Sequence, residues 1–275
     1  MRADDEQRSG TSVPPVKVVD FHQAPTYLRR PYILHGYRVG GTRRMALAAL
    51  FYELNNETLN AWTMILGIIY STWRFWTVLI DTARAEVHIS FLILWFAAAS
   101  HVGFSIALHA FIGISEAERV VFRTLDVVML QQSIFLKGVA FCLALPVPGW
   151  FLTFYVFGVV VVLMYSFYTC TIRNRIWTIP KPELARHMQY ITFGYLLPLW
   201  TYAALNIGGL TLVASITFLI WFGGAVLYAK HYPERLWPGV FDCVASSHIL
   251  MHLVAQSVHV LEYRFLDRAL ADVPK

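Results

Sequence analysis

The sequence predicts an all-α membrane protein, a bundle of seven transmembrane helices with its N-terminus in the cytoplasm and its C-terminus outside. Three observations favour this fold class. Hydrophobic residues make up 57% of the chain and charged residues 14%, and the mean hydropathy is +0.53, outside the range of ordinary soluble domains. Apolar runs long enough to span a bilayer recur along the chain. Lysine and arginine are distributed unevenly among the loops between those runs.

The apolar runs predict the helices in order. A spanning helix needs about 20 mostly apolar residues, and the chain contains seven such runs. They lie at 59–80, 87–112, 121–145, 149–171, 188–207, 209–229 and 241–263. Because charged groups are expensive in hydrocarbon, the polar residues of the third run are expected to face the bundle interior. These are Asp126, Gln131, Gln132 and Lys137.

The flanking segments divide the chain into three regions. Residues 1–57 form a polar arm with no signal-peptide core, and the stretch "TYLRRPYILHGYR" within it is amphipathic and predicted to lie beside the membrane. The membrane domain covers residues 58–264, and a short tail covers 265–275. Lysine and arginine number 16 on the side of the N-terminus and 4 on the other side, which predicts the orientation.

Net charge and cysteine pattern exclude other classes. The formal charge of +5 does not indicate a nucleic-acid partner, because basic residues of membrane proteins collect in cytoplasmic loops. The three cysteines show no paired spacing, so neither a disulfide framework nor a thiolate zinc site is predicted. Cys142, Cys170 and Cys243 are interpreted as small buried apolar residues.

Histidines of two predicted helices fall at one depth near the cytoplasmic side. In "SSHILMH", His248 and His252 are four residues apart and share one face of the seventh helix. His109 lies near the cytoplasmic end of the second helix, and Asp126 lies at a similar depth in the third. Ser105 lies one turn before His109, where its hydroxyl can point at a group bound by His109.

Three interpretations of these histidines are open. They can join helices through hydrogen bonds, bind haem from two sides, or supply three ligands of a tetrahedral zinc ion and leave the fourth position for water. Asp126 and Ser105 favour zinc, because a carboxylate beside the ion can orient the water and accept its proton.

Four motifs, in order from about residue 25 to 263, resemble those of the progestin and adipoQ receptor family. This family includes the adiponectin receptors and the bacterial hemolysin III proteins. The motifs are "PYILHGYR", "LFYELNNETLNAWT", "SIALH" followed by "RTLD", and "YPERLWPGVFDCVASSHILMH". The segment "VVMLQQ" after Asp126 departs from the family pattern and leaves the identity of the substrate or ligand open.

The resemblance implies a seven-helix bundle and a zinc ion bound by His109, His248 and His252, with Ser105 and Asp126 beside it. Family members are described as ceramidase-type lipid amide hydrolases, as receptors for adiponectin or steroids, or as regulators of lipid and metal homeostasis. We therefore expect a zinc hydrolase that acts on a sphingolipid-type membrane lipid. The alternative is a receptor, with an extracellular ligand, whose zinc is structural.

Other polar residues receive structural interpretations. Asn56, Glu57 and Asn60 are predicted to cap the first spanning helix. His259 lies about 16 Å along the helix from His248, too far to share its ion, and is predicted to hydrogen-bond within the bundle. A transport protein with a path along the polar residues of the third helix is a third class of function. It is weaker than the interpretation that these residues form a hydrogen-bonded stripe facing the second or seventh helix.

Overall fold

The computed structural model describes residues 15–81, 89–168, 199–206 and 210–272. Its helices are α1 (Arg43–Tyr52), α2 (Thr58–Ile80), α3 (Ile89–Phe111), α4 (Glu116–Ala144), α5 (Gly149–Phe167), α6 (Thr211–Lys230) and α7 (Ser247–Asp272). Residues 199–206 are also helical. Ahead of α1, β1 (Lys17–Val19) pairs antiparallel with β2 (Tyr37–Val39), and a 3-10 turn (Thr26–Leu28) lies between the two strands.

Four of the described helices, α2, α3, α4 and α6, are long and apolar enough to cross a membrane. They match the predicted runs at 59–80, 87–112, 121–145 and 209–229. The predicted run at 149–171 corresponds to α5. Most of the predicted run at 188–207 lies outside the described residues. The full count of seven spans and their orientation stay predictions.

The start of α7 was predicted too early. This helix begins at Ser247 rather than near 241, and it continues to Asp272 instead of ending at 263. The start is late because the preceding loop is held by other contacts. Asp242 Oδ2 accepts the backbone N–H groups of Leu34 (3.0 Å) and His35 (2.7 Å). Glu234 accepts hydrogen bonds from both the backbone N–H (2.7 Å) and the hydroxyl of Ser247, where the helix begins.

The helices pack in two sets that meet at α2. Helix α3 lies along α4 and α2, while α7 lies along α6 and α2. Gly224 of α6 allows the second set to approach closely, because a Cβ at this position would stand 2.6 Å from Val254 of α7. An apolar core rich in aromatic rings, including Phe91, Phe141 and Phe265, fills the space between α3, α4 and α7.

Charged residues inside the predicted spans have partners on α7. Arg74 of α2 donates to Asp267 at 2.5 Å, which compensates the charge within the first span. Lys137 of α4 lies 3.0 Å from Glu262, so the predicted polar stripe of α4 faces α7 at this point. Glu262 also contacts His259 at 2.8 Å, which confirms the prediction that His259 hydrogen-bonds within the bundle.

Residues 15–41, which we call the cover segment, fold over one end of the bundle. Leu28, Ile33 and Tyr37 are buried in a small core within the segment. Arg38 donates to the carbonyl of Ala110 at 2.7 Å, at the end of α3. Gly113 is required just beyond that point, because a Cβ there would overlap the carbonyl oxygen of Arg38. The amphipathic stretch of the arm therefore packs on the helix ends.

The prediction of small buried cysteines is confirmed for Cys142 and only in part for Cys243. Cys142 is buried, Cys243 is half-buried beside Gly36 of the cover segment, and both are free thiols. Cys170 lies outside the described residues.

Candidate metal centre

Three histidines meet at the bundle end beneath the cover segment. His109 comes from the last turn of α3, and His248 and His252 come from the first two turns of α7. One ring nitrogen from each lies within 4.8 Å of the others. His109 and His252 are buried, and their Nε2 atoms are 3.1 Å apart. The four-residue spacing stacks the rings of His248 and His252 with their centroids 4.8 Å apart.

This geometry suits a single ion. In a tetrahedral zinc site with Zn–N bonds of 2.0–2.1 Å, two ligand nitrogens stand about 3.3 Å apart. The 3.1 Å between the Nε2 atoms of His109 and His252 is close to that separation. Imidazole nitrogen is a ligand that zinc prefers, so the donor set fits the metal that the sequence predicted.

A buried carboxylate orients the ring of His109 through its Nδ1 atom. Glu57 Oε2 lies 2.7 Å from His109 Nδ1, and Asn60 donates to the same oxygen at 3.0 Å. Because a carboxylate only accepts, Nδ1 carries the proton and the lone pair of Nε2 points into the histidine cluster. Metal-binding histidines commonly have such a carboxylate partner. Glu57 is thus part of the candidate metal centre.

The prediction that Glu57 caps α2 is wrong. Although Glu57 occupies the N-cap position of α2, its side chain makes no capping hydrogen bond. The local bonds are made by its neighbours: Asn55 Oδ1 accepts the backbone N–H of Glu57, and Thr58 Oγ1 accepts that of Asn55. The side chain of Glu57 is therefore available to contact His109 across the helix ends.

An arginine from the cover segment joins the same cluster. Arg30 Nη2 lies 2.5 Å from Glu57 Oε1, and Arg30 Nη1 lies 2.9 Å from His248 Nδ1. Burial alone would raise the pKa of Glu57, but the charge of Arg30 and the hydrogen bonds from His109 and Asn60 outweigh it and lower this pKa to about 2. Glu57 is consequently a carboxylate at neutral pH.

Ser105 lies on α3 one turn before His109, and Asp126 lies on the neighbouring helix α4. The Ser105 side chain is buried on α3, and within the described part of the chain its hydroxyl has no hydrogen-bond partner. Asp126 Oδ1 is 3.3 Å from His101 Nε2, an ion-pair contact without hydrogen-bond geometry, and it too has no hydrogen-bond partner among the described residues. Asp126 interacts electrostatically with both His109 and His252. A carboxylate oxygen and a hydroxyl are thus both available near the cluster.

The site borders a small pocket under the cover segment. Glu57 and His109 line it together with Tyr37 and Asn56. Tyr228 of α6 packs against His248 with ring centroids 5.4 Å apart. Arg30, Glu57 and Tyr228 are the neighbours of the histidines that the sequence interpretation did not assign to the site. The position of "NNE" directly before the first predicted helix is a signal that could have indicated Glu57, whereas "LRRP" lies far ahead of that helix in the sequence and carries no such signal for Arg30.

Comparison with known proteins agrees with this architecture. The profile of the family described as "Haemolysin-III related" matches residues 52–260. The chain belongs to the haemolysin-III related family. Its membership, together with the four apolar helices, identifies the chain as an integral multi-pass membrane protein.

Relatives within this family are membrane receptors by name. Mouse membrane progestin receptor gamma is 27% identical over 277 residues, covering 90% of this chain and 80% of the relative. Human membrane progestin receptor delta is 28% identical over 279 residues, covering 94% and 79%. Pig membrane progestin receptor beta is 23% identical, covering 83% and 69%. The resemblance to progestin and adipoQ receptors and to hemolysin III proteins is confirmed.

Proposed function

We propose that this haemolysin-III family member is a zinc-dependent hydrolase that cleaves the amide bond of a sphingolipid-type membrane lipid. The observation that carries the proposal is the convergence of three imidazoles, with the buried hydroxyl of Ser105 and the Oδ1 atom of Asp126 on the same two neighbouring helices α3 and α4; both of these oxygen atoms lack hydrogen-bond partners among the described residues. Buried polar groups are nearly always hydrogen-bonded in folded proteins. Two unsatisfied groups next to one cluster favour a site built for chemistry over one built only for helix packing.

The metal ligands in this proposal are His109, His248 and His252. A bound zinc ion supplies Lewis acidity, which polarises a carbonyl group and lowers the pKa of a water molecule. Glu57 holds the proton on Nδ1 of His109 and so keeps Nε2 available as a ligand.

Proton transfer is assigned to Asp126. Its Oδ1 atom makes no hydrogen bond within the described residues and can accept a proton from the water that attacks the amide carbon. The protonated carboxyl can then deliver that proton to the amine that leaves when the C–N bond breaks. His101 Nε2, 3.3 Å away, keeps the carboxylate in place. Ser105 is assigned to the developing oxyanion, to which its hydroxyl can donate.

A membrane lipid suits the position of the site. His109 lies in the last turn of the apolar helix α3, and His248 and His252 lie in the first two turns of α7. The acyl chains of a lipid can therefore stay in the hydrocarbon while its amide reaches the metal. The polar surroundings, with Arg30 and Tyr228, suit the headgroup end of the same molecule.

Purified protein in lipid nanodiscs with labelled ceramide tests the proposal. Fatty acid release is expected from the wild type. It should fall at least about 100-fold in Asp126→Asn, because general acid–base catalysis contributes 10²–10⁴-fold. Glu118→Gln is a matched control, since Glu118 is a carboxylate on the same helix that pairs with Arg43 away from the site. No release by the wild type, or equal release by Asp126→Asn, would refute the hydrolase.

A second candidate is a ligand-binding membrane receptor in which zinc is structural. The names of the relatives favour it, since membrane progestin receptors gamma and delta match nearly the whole chain. In this case the zinc would join α3 to α7, and a progestin or another extracellular ligand would bind elsewhere on the bundle. Chelation separates the two functions: a structural ion predicts a large fall in melting temperature, and a catalytic ion predicts loss of hydrolysis with a smaller thermal shift.

A further inference from the structure

The guanidinium of Arg30 contacts both the histidine cluster and the carboxylate behind it. Its guanidinium lies between two groups, with Nη2 on the Glu57 carboxylate at 2.5 Å and Nη1 on Nδ1 of His248 at 2.9 Å. Arginine only donates hydrogen bonds, so Nδ1 of His248 must be the acceptor in this pair. The contact therefore fixes the tautomer of His248, with the proton of the neutral ring on Nε2.

That tautomer is incompatible with a metal ion on His248. If the metal is bound through Nε2, the proton must be on Nδ1, where it would face the donor Nη1 of Arg30. If the metal is bound through Nδ1, the lone pair that Arg30 uses is occupied. In both cases the hydrogen bond between Arg30 and His248 has to break before all three histidines can act as ligands.

Glu57 offers Arg30 a position away from His248. The ion pair with Oε1 of Glu57 uses Nη2, so rotation of the guanidinium can release Nη1 while the ion pair is kept. The backbone of Arg30 is held independently, because its N–H donates to the hydroxyl of Tyr37 at 3.0 Å. Only the side chain needs to move.

We propose that Arg30 is a gate on the metal centre: its guanidinium competes with the metal ion for His248 and controls entry of the ion from the side of the cover segment. The inference rests on the proposed three-histidine metal site and assigns it a means of regulation. The same side chain also places a positive charge beside the incoming cation, which opposes metal binding further.

The test uses metal-stripped full-length protein in nanodiscs, with zinc binding followed by competition against a fluorescent chelator. Arg30→Met keeps a long side chain and removes the donors and the charge. A hydrogen bond from a charged donor contributes about 1.5–3 kcal/mol, so removal of this competitor should tighten zinc binding about 10- to 100-fold. The association rate should rise with it. Arg29→Met is the matched control, because Arg29 donates to the carbonyls of Ala24 and His22 and points away from the cluster.

The outcomes are distinct. Weaker or unchanged zinc binding by Arg30→Met would overturn the gate and make Arg30 a supporting residue of the site. If the methionine variant does not fold, Arg30→Lys takes its place. A single ammonium group cannot contact both Glu57 and His248 as the guanidinium does, so zinc binding should tighten by a smaller factor. Unchanged binding would again overturn the gate. Failure of the wild type and Arg30→Met alike to bind zinc would refute the proposed metal site itself.

Discussion

Replacing Glu57 by glutamine should weaken zinc binding without a large change in shape. Glu57 Oε2 accepts from His109 Nδ1 at 2.7 Å, and Oε1 pairs with Arg30 at 2.5 Å. Partners of this kind contribute 10–100-fold to metal affinity, which corresponds to about 1.4–2.7 kcal/mol.

The structure favours the upper half of that range for Glu57→Gln. A glutamine has one oxygen and one NH2 group in place of two acceptors. If the oxygen faces Arg30, the NH2 group faces the Nδ1 proton of His109. If the oxygen faces His109, the NH2 group faces the guanidinium of Arg30. One pair of donors is therefore brought together in either orientation, and His109 or Arg30 must move.

Isothermal titration of metal-stripped protein with zinc measures the effect. The dissociation constant of Glu57→Gln should rise about 30- to 100-fold, whereas Arg30→Met should shift it in the opposite direction. Glu118→Gln is the matched control for removal of a carboxylate, since its ion pair with Arg43 is exposed and outside the site. Equal zinc affinity of Glu57→Gln and the wild type, with binding lost in His109→Ala, would show that the Glu57 contact does not organise the site.

Two further predictions concern the bundle itself. Lys137→Met leaves the buried carboxylate of Glu262 without its cation and should lower the free energy of unfolding by about 3–5 kcal/mol. Unfolding in detergent measures this loss, and a loss under about 1 kcal/mol would contradict the pairing. Gly224→Ala should lower the free energy of unfolding by about 1–3 kcal/mol, because the added methyl group overlaps Val254. Gly223→Ala should leave the melting temperature nearly unchanged, because a Cβ at that position would meet nothing within 4 Å. Equal melting temperatures for the two alanine variants would contradict this packing.

The sequence was sufficient to predict that residues far apart in the chain share one depth. Hydrophobic length defines the spans, and the spacing of His248 and His252 places both on one helix face. Counting residues along the helices then brings His109 to the same level. The depth of each histidine depends on the helical rise and not on the residue at which its helix begins, so the three histidines meet despite the late start of α7.

The surroundings of the histidines could not be predicted in the same way. Glu57 is 52 residues from His109 and Arg30 is 218 from His248, and both contacts depend on how non-helical segments lie over the helix ends. Periodicity carries no information on such segments. An acidic residue at a helix start is also most simply read as a cap, and only the tertiary contacts show that Glu57 turns away from its own helix.

Metal content tests the account most directly. Zinc measured by mass spectrometry in purified protein should approach one ion per chain in the wild type and fall to background in His252→Ala, whose side chain is buried within the cluster. The exposed His35 provides a control, and His35→Ala should retain the ion. Wild-type protein without zinc, or full zinc content in His252→Ala, would contradict the central claim that His109, His248 and His252 form a metal site.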